Sequence, residues 1–467
     1  MTTGNNDIIT PETTDKKYNE TFNDRIKQFN DADFIVTINK RKKISKIDLV
    51  DAFRNIFKVK TLSSIDGILA NLDSYYYDDG YYKIGTAILL KKLMYNKYKY
   101  YVNGVLYSEY KDLLEGLTIV NHNYFDDKQK QFININNGVY NIKTDTFTPH
   151  HASYHFTYKT PVNYKPDAHN ELFERKVKEI VGEFYTLTMQ ELFGYCLYTD
   201  YHVQKALMWV GDGANGKDVL SYCLSKLVGN DNISAEGLKT LVTNRFSSVE
   251  LQHKLLNLSG ETPNNFKINN SDMIKSLRGG TIINGERKHG NRVKFRNYAK
   301  LVFLTNKVPE TNDYSFGFFR SWVIIPFENQ FTGDKDNKNL KYELTDTDDK
   351  MSGILNWALE GLKRLLEQGH FTYNIGEFGM EEYWKRLSEP AISFIMDEVE
   401  DGTLAYNGEI IKRYTEYCKE YKVQQQSTKS FWISWNNNIR KYFPDAEKFQ
   451  DNTENGEGKR GWRNICF

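Results

Sequence analysis

One stretch constrains this chain more than any other: KALMWVGDGANGKDVLSYCLSKLVG, residues 205–229. KALMWV reads as a short apolar strand, GDGANGK as a glycine-rich loop, and DVLSYCLSKLVG carries helical periodicity. Strand, glycine loop and helix in this order are what a phosphate-binding loop requires, and the loop nearly matches G-x-x-x-x-G-K-[ST]. Glycines 211, 213 and 216 permit tight turns, so that backbone amides can point inward at phosphate oxygens. The helix N-terminus adds partial positive charge. Residues Gly211, Asp212, Gly213, Ala214, Asn215, Gly216, Lys217, Asp218 and Val219 therefore read as an ATP cradle, with Lys217 bridging the β- and γ-phosphates. The bland alternative is a glycine-rich turn that holds no ligand.

Asp218 departs from the pattern, because a Ser or Thr hydroxyl ordinarily follows the lysine and ligates Mg²⁺. A carboxylate is also a hard oxygen ligand, but it brings negative charge toward the phosphates. Downstream, HKLLNLSGET (253–262) reads as an apolar strand ending in Glu261, where a pair of acids is usual and this chain has Gly260-Glu261. Two readings stay open. Either Asp218 supplies the metal ligand that position 260 lacks, with Glu261 as second ligand and water-positioning base, or Asp218 is a tolerated neighbour.

YAKLVFLTN (298–306) is a buried-type strand ending in Asn306, whose amide at a strand end can orient attacking water. DYSFGFFRSWVIIPF (313–327) places Arg320 just before another apolar strand, where it suits a finger reaching a neighbouring subunit's nucleotide. Each alone is more often structural; in this order they reinforce each other. Between the two strands lies SLRGGTIINGERKHGNRVKFRNYAK (276–300). With Lys275 before it, it gathers Arg278, Arg287, Lys288, Arg292, Lys294, Arg296 and Lys300 against a single acid, Glu286. IINGERKHGNRVKF reads as a hairpin with Lys288-His289-Gly290 at its tip. Arg287, Lys288, His289 and Lys294 are the candidate contacts to DNA phosphates, unless this is an ordinary basic surface hairpin.

This order of motifs resembles the superfamily 3 helicases of the AAA+ class. The Lys-His pair is similar to the pore hairpin of papillomavirus and polyomavirus helicases. The flanks resemble the phage and plasmid branch related to poxvirus primase-helicases, and within it the replication initiator helicases (Rep) of staphylococcal pathogenicity islands. NINNGVYNIKTDTFTPHHASYHFTYKTPVNYKPDAH is similar to the segment preceding the ATPase there, and LSEPAISFIMDEVED onward to its C-terminal helical and winged-helix part. The resemblance spans roughly residues 70–467, with specific motifs in 205–330. It implies a hexameric, ATP- and Mg²⁺-dependent helicase moving 3′ to 5′ on single-stranded DNA. Lys217, Asp218, Glu261 and Asn306 would come from one subunit and Arg320 from the next. The C-terminal unit would bind origin duplex, through Lys419, Lys422, Lys429, Arg440 and Lys441 among aromatics such as Trp432 and Trp435. Many relatives carry a primase domain; the first 130 residues show no paired-carboxylate palm motif, so none is assigned.

The expected architecture is α/β: residues 1–30 a flexible tail, 31–170 an α+β domain, 171–370 the AAA+ core with a helical collar, and 371–467 a winged helix. YYYDDGYYKIG predicts a hairpin, and MSGILNWALEGLKRLLEQG an amphipathic helix stopped by glycine. His150, His151 and His155 suggest a structural role rather than a metal site. Net charge is +1, so any nucleic-acid surface must be a local patch. Four cysteines lack C-x-x-C spacing and suit a reducing cytoplasm. The N-terminus has no apolar leader, and no apolar run reaches membrane-spanning length. Two rival functions remain: a DNA-binding protein that uses nucleotide only to assemble, and a AAA+ loader or remodeller.

Overall fold

The computed structural model describes residues 25, 27–29, 35–38, 41–62, 73–97, 104–120, 125, 130–260, 263, 266–287, 292–333, 336–421, 423–451 and 459–467. The expected N-terminal tail lies almost wholly outside the described residues, as do Glu261, Lys288, His289 and Lys422.

The N-terminal part runs β1 (Ile35–Ile38), β2 (Arg41–Ile44), α1 (Lys46–Phe57), β3 (Lys60–Leu62), β4 (Ser74–Asp78), β5 (Tyr81–Ile84), α2 (Thr86–Lys97), α3 (Gly104–Leu117) and β6 (Ile119–Val120). Strands β3–β6 form a mixed sheet in the order β5-β4-β3-β6. The tyrosine hairpin is β4 and β5, turning at Asp79-Gly80 with Tyr77 opposite Tyr82. A meander follows: β7 (Phe132–Ile135), β8 (Gly138–Asn141) and β9 (Thr146–Thr148). The long helix α4 (Glu171–Tyr195) breaks its helical dihedrals at Gly182, which gives the helical pair read from the sequence.

The centre of the molecule comprises β10 (Ala206–Val210), α5 (Lys217–Val228), β11 (Ile233–Ser234), α6 (Leu238–Thr243), β12 (Leu256–Ser259), β13 (Lys267–Ile268), α7 (Asp272–Arg278), β14 (Ile282–Glu286), β15 (Arg292–Arg296), β16 (Lys300–Thr305), β17 (Glu310–Thr311), α8 (Phe316–Phe319), β18 (Trp322–Pro326), α9 (Leu340–Glu343) and α10 (Asp348–Gln368). Five strands make one all-parallel sheet in the order β11-β12-β16-β10-β18. Both of its faces are covered, which explains why its strands read as continuous apolar runs. Side chains alternate between faces. Leu207, Trp209, Val302, Leu304, Val323 and Ile325 enter the cluster beneath α4, α5 and α10. Met208, Leu301, Phe303, Trp322 and Ile324 enter the opposite cluster with Leu277, Phe295 and Phe319. The first cluster also takes in Ile133, Ile135, Val139 and Tyr158, so the meander packs with this core although the expected domain boundary lay near residue 170. Helix α10 ends on Gly369, as expected.

The C-terminal part consists of α11 (Gly376–Ser388), α12 (Pro390–Glu398), β19 (Glu400–Tyr406), α13 (Asn407–Glu420), α14 (Thr428–Tyr442), β20 (Glu447–Asp451) and β21 (Lys459–Cys466). Its antiparallel sheet has the order β19-β21-β20. Phe394, Tyr414, Phe431, Trp435 and Trp462 build a core of its own. Among the described residues no helix is long and apolar enough to cross a membrane.

Candidate functional site

In an open parallel sheet, ligands bind beyond the carboxyl ends of the strands. Here the carboxyl ends of β10, β16 and β18 deliver Gly211, Asn306 and Phe327 to one place. They line a cavity of about 470 Å³ with Asp212, Asn215, Lys307, Glu328 and Gln330. The size lies in the range of small-molecule sites.

The loop between β10 and α5 is tied down at several points. Its Gly211 amide donates to Thr305 O (3.2 Å). The amides of Phe327 and Phe331 donate to Val210 O and Ala214 O, both at 2.7 Å. Asn215, 3% exposed, donates to Phe327 O at 3.3 Å and accepts from the Lys217 amide at 3.3 Å. Gly216 caps α5 with φ +85, and a Cβ there would press on Ile180 at 2.8 Å, so the glycine is required twice over. Gly213 is different, since a Cβ there meets nothing within 4 Å.

The amides of residues 212–216 have no hydrogen-bond acceptor among the described residues. The buried Lys217 amine donates to the loop's own carbonyls, Gly211 O and, at 3.3 Å, Asp212 O. A loop of unpaired amides beside a lysine is a concave anion site, and it fits the phosphates of a nucleotide. Asp218 is exposed on the first turn of α5 and has no side-chain partner among the described residues, so its carboxylate is available to a metal. No group of three His, Cys, Asp or Glu placed to hold a metal ion occurs among the described residues. Val219 is half-buried behind Asp218. Gly260 ends β12 in open space, for a Cβ there meets nothing within 4 Å.

Arg320 lies elsewhere. It caps α8 just before β18, and β18 runs parallel to β10 with Trp322 opposite Ala206 and Pro326 opposite Val210. It therefore sits at the amino ends of the strands, while the phosphate loop sits at the carboxyl ends. Five residues at about 3.3 Å each separate the two by roughly 17 Å. The guanidinium is exposed and lies over the Phe316 ring at 5.8 Å, and its backbone carbonyl accepts from Lys205 (2.7 Å). It is therefore remote from the 211–216 loop of its own chain.

The basic segment resolves into unlike members. Strands β14 and β15 form the expected hairpin, with Glu286 opposite Arg292 and Asn284 opposite Lys294. Ile283 and Phe295 pack inward, while Lys294 and Arg296 face solvent. Arg287, expected on DNA, is corrected: it makes a bidentate pair with Asp73 at 2.9 and 2.8 Å and a third bond to Gln252 at 3.1 Å. Arg278 is buried at 4% and donates to Gln204 O and Gly317 O. Lys275 is bound to Asp313 at 2.5 Å. Lys300 is completely buried, donating to Tyr198 O (2.6 Å) and Tyr298 O (2.7 Å) between the rings of Tyr195 and Tyr201. Burial pushes its amine down to about 7. Each of these four cations completes a local structure instead of a surface.

In the C-terminal part, α14 exposes Lys429, Ser430, Ile433, Asn436, Asn437 and Arg440. Trp435, expected among the aromatics of the C-terminal unit, is fully buried in its core. Sequence reading also missed one wall of the cavity: Leu387, Val423 and Gln424. Gln424 donates to Asp212 Oδ1 at 3.0 Å. Nothing in the local pattern of residues 421–427 signals this, because the partner is 212 residues away.

Residues 209–320, from the phosphate-loop strand to Arg320, match a family of unknown function (DUF5906). Residues 89–182 match a family described as D5 N terminal like. The two matches fit a phage-type replication protein. Among solved structures, an A-form apo structure of the NrS-1 C terminal region is 11% identical, with TM-score 0.44 over 86% of this chain and 95% of that one. An apo structure of the same region (305–718) is 11% identical, with TM-score 0.42 over 87% and 96%.

Proposed function

We propose that this protein is an ATP-dependent DNA helicase and replication initiator of the superfamily 3, AAA+ type, acting in the cytoplasm as a ring, by resemblance a hexamer, of identical subunits. The observation that carries the reading is the loop whose amides at residues 212–216 lack an acceptor among the described residues, lying beside the Lys217 amine and sharing one cavity with Asn306. The sheet order supports it, since the strand ending in Asn306 separates the phosphate-loop strand from the strand leading to Glu261. Movement 3′ to 5′ on single-stranded DNA, and a home on a mobile genetic element, are what the family resemblance adds.

In this reading the loop amides and Lys217 bind the phosphates, and Lys217 releases Gly211 O and Asp212 O to do so. Asp218 would hold Mg²⁺, with Glu261 as second ligand and water-positioning base. Bound Mg²⁺ would supply charge neutralisation to the phosphates. Asn306, at the end of β16, orients the attacking water. Arg320, remote from its own loop, reaches the nucleotide of the adjoining subunit. Lys294 on the hairpin, with Lys288 and His289 at its tip, follows the phosphates of a strand in the ring.

The C-terminal order α12-β19-α13-α14-β20-β21 supports a winged helix. Its exposed helix α14 would enter the major groove of origin duplex.

Lys217→Ala tests the reading. Steady-state ATP turnover should vanish, while duplex binding measured without nucleotide should stay at the wild-type level. A wild-type protein with no DNA-stimulated ATPase and no strand displacement on a forked duplex would point to the assembly-only alternative instead.

A further inference from the structure

Resting on the nucleotide-binding reading above, we propose that Gln424 is a further residue of the nucleotide site, contributed by the C-terminal unit, through which nucleotide occupancy and duplex binding are coupled. Three observations carry it. The cavity has two walls from different parts of the chain: the strand ends of the parallel sheet, and Leu387, Val423 and Gln424. Gln424 already touches the phosphate loop, donating to Asp212 Oδ1 at 3.0 Å. Leu387 packs against both the core under the sheet and the C-terminal core, so the second wall is seated on the first.

The turn bearing Gln424 joins α13 to α14, and it is held stiffly. The Val423 amide donates to Cys418 O at 3.0 Å, Gln425 donates to Thr415 Oγ1 at 2.9 Å, and the Gln426 amide donates to Tyr414 Oη at 3.2 Å. Ser427 caps α14, its side chain accepting from the Ser430 amide. A displacement of Gln424 therefore carries α14 with it. A ligand filling the cavity touches both walls and holds the two units in this arrangement. In the same arrangement Lys429, Asn436, Asn437 and Arg440 remain exposed. The docked form is thus the one that can take duplex, and the coupling is positive. Linkage makes it reciprocal: nucleotide and duplex raise each other's affinity by the same factor.

The test uses the full chain, a fluorescent ADP and a short mixed-sequence duplex. In wild-type protein, duplex should tighten ADP binding, and ADP should tighten duplex binding by an equal factor. Gln424→Ala should weaken ADP binding about three- to tenfold, as for one lost hydrogen bond, and both factors should fall to one. Gln424→Glu should weaken ADP further, and added salt should relieve the difference, because a carboxylate then faces Asp212 and the phosphates. Gln425→Ala leaves the cavity wall intact but removes one bond that stiffens the turn, so ADP affinity without duplex should stay at the wild-type level while both factors fall part of the way to one. Gln424 variants with wild-type ADP affinity and intact coupling would overturn this inference and leave the nucleotide site standing. Wild-type protein that binds no ADP would overturn both.

Discussion

Arg287 holds Asp73 through both arms of its guanidinium, at 2.9 and 2.8 Å across 214 residues of chain. The pair fastens the tip end of the basic hairpin beside the N-terminal sheet, next to β4. Planar two-point pairing of this kind is the strong form of a surface ion pair. The Asp73 carboxylate raises the pKa of the guanidinium above its ordinary value through that bond, against a smaller opposing effect of burial. A cation expected to meet DNA is thus neutralised within the fold.

Removing the acid should release it. Asp73→Ala is expected to strengthen single-stranded DNA binding and steepen its salt dependence by about 0.7 in log–log slope, the contribution of one added phosphate contact. Fluorescence anisotropy over a salt series measures both. The double change Asp73→Ala with Arg287→Ala should return the slope to its starting value; if it stays steep, Arg287 is not the group released.

The separation of Arg320 from Gly211 predicts complementation. Arg320→Ala and Lys217→Ala proteins should each be inactive, yet mixed rings should recover ATP turnover, because some interfaces then pair an intact Lys217 with an intact Arg320. A finger contributes on the order of 10³–10⁵ in rate, so sparse repaired interfaces should be visible in a coupled ATPase assay. Stably mixed rings without recovery would remove Arg320 from the site.

Asp218 and Gly260 can be tested as a pair. Asp218→Ala should raise the Mg²⁺ concentration needed for half-maximal hydrolysis and lower turnover, while metal-free nucleotide binding holds or improves. Asp218→Ser should restore only part of the activity. Gly260→Asp is sterically free, as a Cβ at that position meets nothing within 4 Å. Combined with Asp218→Ser it should outperform either single change, as two ligands sharing one ion would. Full activity of Asp218→Ser alone at low Mg²⁺ would make Asp218 a tolerated variant.

Lys300 predicts a pH effect on stability. Burial lowers its folded pKa to about 7, against about 10.4 in an unfolded chain. Between these values the unfolded state binds more protons, so stability should rise as pH rises. The usable window is pH 7 to about 8.5, above which the unfolded chain loses Cys196 and tyrosine protons that burial retains in the fold. There, the unfolding free energy of wild type should climb by up to about 1.4 kcal/mol per pH unit more steeply than that of Lys300→Met. Urea titrations at stepped pH measure it, and equal slopes would mean that the amine keeps its proton through its two carbonyl acceptors and tyrosine rings.

The phosphate loop, the strands ending in Ser259 and Thr305, the β14–β15 hairpin and the glycine stop of α10 were legible without coordinates. Each is written in neighbouring residues: apolar runs for a sheet covered on both faces, alternation for the hairpin, glycine where the backbone turns left-handed. Sequence alone thereby determined the turn of the backbone from β10 through the glycine loop into α5. Tertiary structure alone decided which cations stay free. Lys275, Arg278, Arg287 and Lys300 carry the same charge as Lys294 in the sequence, and only partners brought close by folding, a carboxylate or a carbonyl, engage them. It also decided that Arg320 lies at the opposite end of the sheet from the 211–216 loop, and that Gln424 lines the cavity from 212 residues beyond Asp212. Such pairings depend on distance in space between segments far apart in the chain, and no local periodicity encodes that distance.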